Sequence, residues 1–303
     1  MQISTNQFYS NTASLMQKLT QSTNDIQTQI STTRKYAAPS DNVVAYQQLA
    51  TIRQSTADGT AYAANVSLAQ SLLQQSDSAL TSVESDLTKA SELVTQANSD
   101  TLTDAQRKTI STQLKGVMDD FASLANTRDA RGQPLFGAAT GDSAVTKNAD
   151  GTVSFTGTGT PASIPIGDGA TIQPTDSAEH VFGGIATASG TSDVFSILSK
   201  VTAALDAGGS VTAAAGEAGT SLTAALTQVT GVHGAVGARA ARLDLVAATM
   251  KTAATDLEAT RSEIEDTDIS TAVIDLQKMS TALQATQASF TKLSALSLFD
   301  YLK

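Results

Sequence analysis

The sequence predicts a mainly α-helical protein with a small β-rich insert. Long antiparallel helices from the N- and C-terminal arms form a coiled-coil-like rod, and the chain termini lie side by side. Three observations carry this reading. Of 20 glycines, 18 fall between Gly132 and Gly237, and four of the five prolines fall between Pro134 and Pro174. From Ala238 to Lys303 there is neither. Both residues weaken helix interiors, so the outer arms can hold long helices and the middle is broken. In the arms, apolar residues recur at alternating spacings of three and four. In the middle, the alternation switches to period two.

The first seam runs Val66, Ala69, Leu73, Ser76, Leu80, Val83, Leu87, Ala90, Val94, Ala97. That unbroken 3,4 alternation is a heptad pattern and predicts a long helix packed on others. A second seam runs Ile110, Leu114, Val117, Phe121, Leu124. A third runs Leu222, Leu226, Val229, His233, Val236, Ala240, Leu243, Ala247, Met250, Ala254, Leu257. Its alanines predict close approach of a neighbouring helix. Shorter seams occupy the ends: Leu15, Leu19, Ser22, Ile26, Ile30, and Ile269, Val273, Leu276, Leu283, Phe290.

Between the arms, the turn signal Ala149-Asp150-Gly151 precedes Thr152-Val153-Ser154-Phe155-Thr156, which predicts short strands and hairpins. From Gly137 to Thr220 there are eight acids and two bases, so a solvated, acidic, looped insertion is expected. Val194, Ile197, Leu198, Val201 and Leu205 predict a short helix after it. The resulting organisation is nested. Residues 1–40 with 269–303 form a terminal assembly domain, 41–138 with 192–268 a helical rod domain, and 139–191 a β-rich outer insert.

Composition excludes several function classes. Apolar residues are 41% and charged residues 16%, which fits a folded chain. The net charge of −10 disfavours a nucleic-acid partner. With no cysteine there is no disulfide or thiolate site. No apolar run reaches the roughly 18 residues needed to cross a bilayer, so membrane insertion is not expected. The opening MQISTNQFYSNTASLMQKL has no basic-then-apolar signal-peptide pattern.

Chemistry is sparse. His180 falls in the insert and reads as a surface histidine, and His233 reads as a helix-packing one. Neither has a partner histidine at helical spacing, so no metal site is expected. The acidic run EATRSEIEDTDIS lacks the glycine and terminal glutamate of a calcium loop. It reads as a break between two helices. Asp266 or Thr267 would cap the helix starting near Ile269, with Asp268 favourable against its dipole. No nucleophile elbow, phosphate loop or dinucleotide fingerprint appears. No enzyme and no cofactor are expected.

The apolar end stripes pose a separate question. Leu15, Leu19, Ile26 and Ile30 at one end match Leu283, Phe290, Leu293, Leu296, Leu298, Phe299 and Leu302 at the other, with Ile3 beside them. Termini have few neighbours to pack on. An apolar terminus therefore reads as half of a core completed by neighbouring subunits.

The arms also resemble the bacterial flagellin family. MQISTNQFYSNTASLMQKL, QTQISTTRKYAAPSDNVVAYQQL and LTKASELVTQANSDTLTDAQRKTISTQL look like the N-terminal region of flagellins. Family motifs stand at Ser31–Thr32 with Pro39–Ser40–Asp41, at Asn126, Gly132 and Phe136 in ANTRDARGQPLFGA, and at Glu265, Asp266 and Asp268 in SEIEDTDIS. The tail ATQASFTKLSALSLFDYL is more similar to the family's hook–filament junction branch than to filament proteins. The likeness covers residues 1 to about 138 and about 240 to 303. The sequence departs from it at three places. Thr33 stands where glycine is usual, Asn42–Val43 where Asp-Pro is usual, and Pro134 where an aromatic is common.

The resemblance implies a structural protein of the bacterial flagellum that joins hook to filament. Its partners would be copies of itself in a ring, a neighbouring hook-associated protein, flagellin and an export chaperone. It would be secreted through the flagellum's own type III apparatus with an uncleaved signal, and its terminal segments would order on assembly. The alternatives are a filament flagellin, a secreted helical adhesin or effector that uses the insert to bind a ligand, and an enzyme hidden in the insert.

Overall fold

A computed structural model describes residues 2–139, 143–148, 151–157 and 159–301; the side chains of residues 2–6 and 293–301 lie outside the description. Helices α1 (Gln2–Thr32), α2 (Val43–Ala97) and α3 (Asp104–Ala125) come first. Strands β1 (Val145–Lys147), β2 (Val153–Phe155), β3 (Ile164–Gly167) and β4 (Ala170–Ile172) follow, then α4 (Ala178–Phe182), β5 (Ile185–Thr187) and β6 (Gly190–Ser192). Helices α5 (Val194–Ala207), α6 (Thr212–Glu265) and α7 (Ile269–Tyr301) complete the order. By packing, residues 1–58 and 252–303 form one compact unit, the terminal unit, and residues 59–251 form another, the central unit.

The central unit holds the large core. All ten positions of the first predicted seam, Val66 to Ala97 on α2, are buried. Leu72 and Ala79 are buried too, which widens the stripe so that α2 faces more than one neighbour. On α3, Ile110, Leu114, Val117 and Phe121 are buried, and Leu124 is partly so. A capping box starts α3: Thr103 Oγ1 accepts from the Gln106 backbone N–H at 3.3 Å, and Gln106 Oε1 accepts from the Thr103 N–H at 2.9 Å. Helix α5 buries all five predicted positions, Val194, Ile197, Leu198, Val201 and Leu205. Asp193 caps it by accepting from Ser196 N–H at 2.9 Å.

Helix α6 departs from expectation in two ways. It begins at Thr212, inside the glycine-rich stretch, and runs through Gly216, Gly219, Gly231, Gly234 and Gly237. Each interior glycine costs about 1 kcal/mol relative to alanine. Burial of Ala215, Ala218, Leu222, Ala225, Val229, Val232 and Val236 along one face offsets that cost. The buried face also differs from the predicted seam. Ala225 and Val232 are buried where Leu226 and His233 were expected, so the helix is rotated toward the neighbouring 3,4 series. Both series satisfy a helical period, and the packing partners choose between them.

The middle forms three antiparallel two-stranded ribbons, β1–β2, β3–β4 and β5–β6. The β1–β2 ribbon pairs Val145 with Phe155 and Lys147 with Val153. It closes where Asn148 N–H donates to Thr152 O at 2.8 Å and Gly151 N–H donates to Asn148 O at 3.0 Å. Gly151 has φ 84°, a left-handed conformation that glycine adopts without steric cost. The expected solvated insertion is solvated on one side only. Val145, Ile166, Ile172, Val181, Phe182 and Ile185 are buried in the same core as the helices. A two-stranded ribbon cannot bury its own apolar face, so each leans on the helical wall.

In the terminal unit, α1 and α7 pack together and run antiparallel: Tyr9 near the start of α1 meets Phe290 late in α7, and Arg34 pairs with Asp266 at the other end. Thr33, just past α1, has φ 57°, the left-handed region. That geometry is one that glycine adopts without steric cost, in keeping with the glycine that the resemblance leads one to expect here. A β-branched residue there carries a steric cost of about 1–2 kcal/mol, part of which glycine would return as unfolded-chain entropy. Thr33→Gly is therefore expected to stabilise the terminal unit by up to about 1 kcal/mol. Slower amide hydrogen exchange in the last turn of α1 would report it, and faster exchange would contradict it.

Candidate functional site

Among its described residues, the terminal unit does not close a core as the central unit does. Among its described residues the buried apolar side chains are Ala45, Leu49 and Ala272. Leu15 is 49% exposed and Phe8 43%. Leu19, Ile26 and Ile30 on α1, and Leu276, Leu283 and Phe290 on α7, are half-buried. Ile269, Val273 and Ile274 on α7, and Val43 and Val44 on α2, are exposed. Tyr9 packs edge-to-face on Phe290 with ring centroids 5.4 Å apart. Among the described residues, α1 and α7 cover each other's stripes incompletely, so these large side chains keep part of their surface in water. Fully burying one such side chain is worth about 1.5–3 kcal/mol, and for exposed Leu15 and Phe8 a good part of that is unrealised here.

The expected interface residues therefore divide. Leu15, Leu19, Ile26 and Ile30 lie on α1 and Leu283 and Phe290 on α7, the two helices that pack together. The side chain of Ile3, at the start of α1, and those of Leu293, Leu296, Leu298 and Phe299, late in α7, lie outside the described residues, as does Leu302 altogether.

Two of the three family motifs, Ser31–Asp41 and Glu265–Asp268, meet at the other end of the pair. Glu265 ends α6 with its side chain only 4% exposed. Its Oε1 lies 3.2 Å from Arg34 Nε and 3.0 Å from Arg53 Nη2, and its Oε2 is 2.8 Å from Arg261 Nη1. Burial pushes this carboxyl up, but Arg261's hydrogen bond and the charges of Arg34 and Arg53 outweigh it, leaving the group below its usual value. The backbone joins in. Lys35 N–H donates to Glu265 O at 2.7 Å, and Thr267 N–H donates to Thr33 O at 3.0 Å. One carboxylate thus ties the α1–α2 turn to the α6–α7 turn.

Asp268, not Asp266 or Thr267, caps α7. Its Oδ1 accepts from Ser270 N–H at 2.9 Å, and its backbone carbonyl accepts the first helical bond, from Ala272 N–H, at 2.9 Å. The cap sits one or two residues later than expected because Asp266 is engaged elsewhere, accepting from Ser262 Oγ–H at 2.6 Å. In the Pro39–Ser40–Asp41 stretch, Asp41 Oδ2 accepts from the backbone N–H groups of Ala37 and Ala38, both at 2.9 Å. Those bonds, with Ala38's first, hold its carboxyl below the usual range. Asn42 then caps α2 by accepting from Ala45 N–H at 3.1 Å. Pro39 and Ser40 are exposed in this turn, and Ser31 and Thr32 close α1 with hydroxyls bonded to Thr28 O.

The third motif lies in the central unit. Asn126 follows α3 and acts as a strand partner. Its Oδ1 accepts from Ala144 and Val145 N–H at 2.8 and 3.1 Å, and its Nδ2 donates to Val145 O at 2.9 Å. Gly132, at φ 77°, makes the turn that Asp129 organises. Phe136 is buried against Phe182 with ring centroids 6.3 Å apart. These residues fix the start of the insert.

Sequence reasoning missed Arg34 and Arg53. Arg261 is four residues before Glu265, a helical spacing that could have been read. The other two come from far away in sequence. No cluster of metal-binding side chains occurs among the described residues. No described helix is long and apolar enough to cross a membrane.

Comparison with known proteins agrees with this layout. Residues 3–140 match the family model for the bacterial flagellin N-terminal helical region, and residues 220–302 match that for the C-terminal helical region. The flagellar hook-associated protein 3 of Salmonella typhimurium is 31% identical over 108 residues, which is 36% of this chain and 34% of that protein. The match thus spans about a third of the length of this curated relative. Among solved structures, flagellar hook-associated protein 3 from Legionella pneumophila superposes with TM-score 0.66 at 14% identity, covering 71% of this chain and 98% of that one. Xanthomonas campestris FlgL superposes with TM-score 0.63 at 18% identity, covering 70% and 99%. At those identities the likeness to the solved structures is one of fold. With both its N-terminal and C-terminal helical regions matched, the chain belongs to the bacterial flagellin family.

Proposed function

We propose that this chain is a structural junction protein of the bacterial flagellum, assembling as a ring between the hook-side junction and the flagellin filament. The observation that carries the reading is the terminal unit: a paired α1 and α7 whose Leu15, Phe8, Ile269, Val273 and Ile274 stay exposed. Such a surface is completed by other subunits, and the similarity to hook-associated protein 3 supports the hook–filament boundary as the place. Copies of the chain, a neighbouring hook-associated protein and flagellin would supply the missing burial. An export chaperone would cover the same stripes before assembly, and delivery to the extracellular flagellum would use the uncleaved N-terminus. The role is mechanical and requires no cofactor. Because the matched family models are those of flagellin itself, a filament subunit is the second reading.

Removing residues 289–303 is expected to leave a folded helical monomer that cannot restore motility to a strain lacking its junction protein. Phe290→Asp should act in the same direction, because it puts a charge into the α1–α7 seam. If the truncated chain restores motility, the coupled-assembly reading is overturned. Complementation by the intact chain separates the two readings. Rescue of a junction-deficient strain supports the junction role, and rescue of a filament-deficient strain supports the filament role.

A further inference from the structure

His233 lies on α6 in the central unit, with two carboxylates of α2 on either side of its ring. Its Nε2 is 2.8 Å from Asp77 Oδ1, and its Nδ1 is 3.0 Å from Glu84 Oε1. Asp77 and Glu84 are seven residues apart, which places them on one face of α2, two turns from each other. The His233 side chain is 24% exposed, so the site is neither dry nor freely solvated. Between Glu217 and Arg239, α6 carries no charged residue apart from His233. Where the insert meets α6, Asp176 and His180 are engaged with each other and Arg239 pairs with Asp176. Gln228 donates there to the carbonyls of His180 and Gly183. Nearby on the α2–α6 interface, Asp244 accepts from Gln70. The charges that act on His233 are therefore Glu84 and Asp77.

A neutral imidazole has one N–H and can donate to one carboxylate only. Its other nitrogen then presents a lone pair to the second carboxylate. An imidazolium has two N–H groups and can donate to both. With both carboxyls ionised, the observed geometry, in which both ring nitrogens lie at hydrogen-bond distance from carboxylate oxygens, is satisfied only by the charged ring. We propose that His233 is a proton-operated clasp of the central unit: charged, it ties α6 to α2 through Asp77 and Glu84 at once, and on losing its proton it gives up one of the two ties.

The clasp has a defined sign. The hydrogen bonds that His233 donates to Glu84 and then Asp77 raise its affinity for its proton, against a smaller opposing effect of burial. A group whose folded-state pKa lies above its unfolded value stabilises the fold fully below the unfolded value, near 6.5. That contribution is lost as pH rises through the raised folded value. The α2–α6 tie is thus firm in mildly acidic solution and slackens on the alkaline side.

The test is a histidine NMR titration of the full chain, with His180→Gln used to assign the two ring signals. His233 is expected to titrate above 6.5, and Asp77→Asn and Glu84→Gln should each lower its midpoint. A wild-type midpoint at or below 6.5, or one that neither substitution moves, overturns the clasp. A second arm compares urea unfolding of wild type and His233→Gln between about pH 5.5 and 9. The wild type's advantage in unfolding equilibrium constant should shrink about tenfold per unit of upward shift as pH rises through the window. An advantage that does not change with pH overturns the proposal. If His233→Gln does not fold, the titration of the wild type and the two carboxylate variants decides alone.

Discussion

Phe182→Ala is expected to destabilise the central unit by about 3–5 kcal/mol. Phe182 ends the short helix α4 and is fully buried. Its ring lies 6.3 Å from Phe121, 6.3 Å from Phe136 and 5.8 Å from Phe195, centroid to centroid, and Phe155 extends the set through Phe195. These rings come from α3, the motif loop, α4, β2 and α5, so Phe182 is where the insert is fastened to the helical wall. A five-residue helix has almost no stability of its own. Truncating its anchor therefore removes both apolar burial and the edge-on ring contacts, and leaves a cavity between elements that cannot collapse independently. Urea denaturation followed by circular dichroism measures the loss. Phe182→Leu is the control: it keeps most of the volume and should cost less than about 1.5 kcal/mol. Equal effects of the two substitutions would mean that the site is not tightly packed.

What was legible in the sequence follows from range. The α2 seam from Val66 to Ala97 could be read because a helical stripe is written in neighbouring turns, and every named position is buried. The α6 stripe was legible as a helix but not in its orientation. Two overlapping 3,4 series coexist there, and only the partner helices select Ala225 and Val232. The insert's strands were visible in their period, but not that Ile166, Ile172 and Ile185 would turn inward onto the helices. The left-handed backbone at Thr33, φ 57°, favours glycine, and that requirement is visible only in the structure. At the helix-end knot, the acidic motif was legible and its partners were not. Arg53 and Glu265 are 212 residues apart, and no local pattern joins them.

That knot carries the second large expected effect. Glu265→Ala should cost about 2–3 kcal/mol in the terminal unit. This is below the 3–5 kcal/mol typical of breaking a fully buried pair, because its arginines can rehydrate. Arg34 and Arg53 are about half exposed and Arg261 is 30% exposed, whereas the Glu265 side chain is 4% exposed. The carboxylate is the element that cannot be replaced by water. Without it three guanidinium groups lose their common acceptor, and the backbone bonds from Lys35 and Thr267 become the remaining link between the two turns. Hydrogen exchange should rise in residues 33–41 and 262–270 while the α2 seam in the central unit stays protected. Glu265→Gln keeps the shape and loses the charge, so it isolates the electrostatic part. Its pH dependence has a fixed sign. Glu265 has a folded pKa below its ordinary 4.5, so its contribution is present above that value and is lost as pH falls through the depressed one. The gap between wild type and Glu265→Gln should therefore narrow in acid. A gap that widens in acid would show that the carboxylate is not held by these arginines. Because Arg34 lies just after α1 and Asp268 caps α7, loosening the knot should also weaken the α1–α7 pairing on which the proposed assembly would depend. Glu265→Ala would then lower motility in the complementation assay without unfolding the central unit.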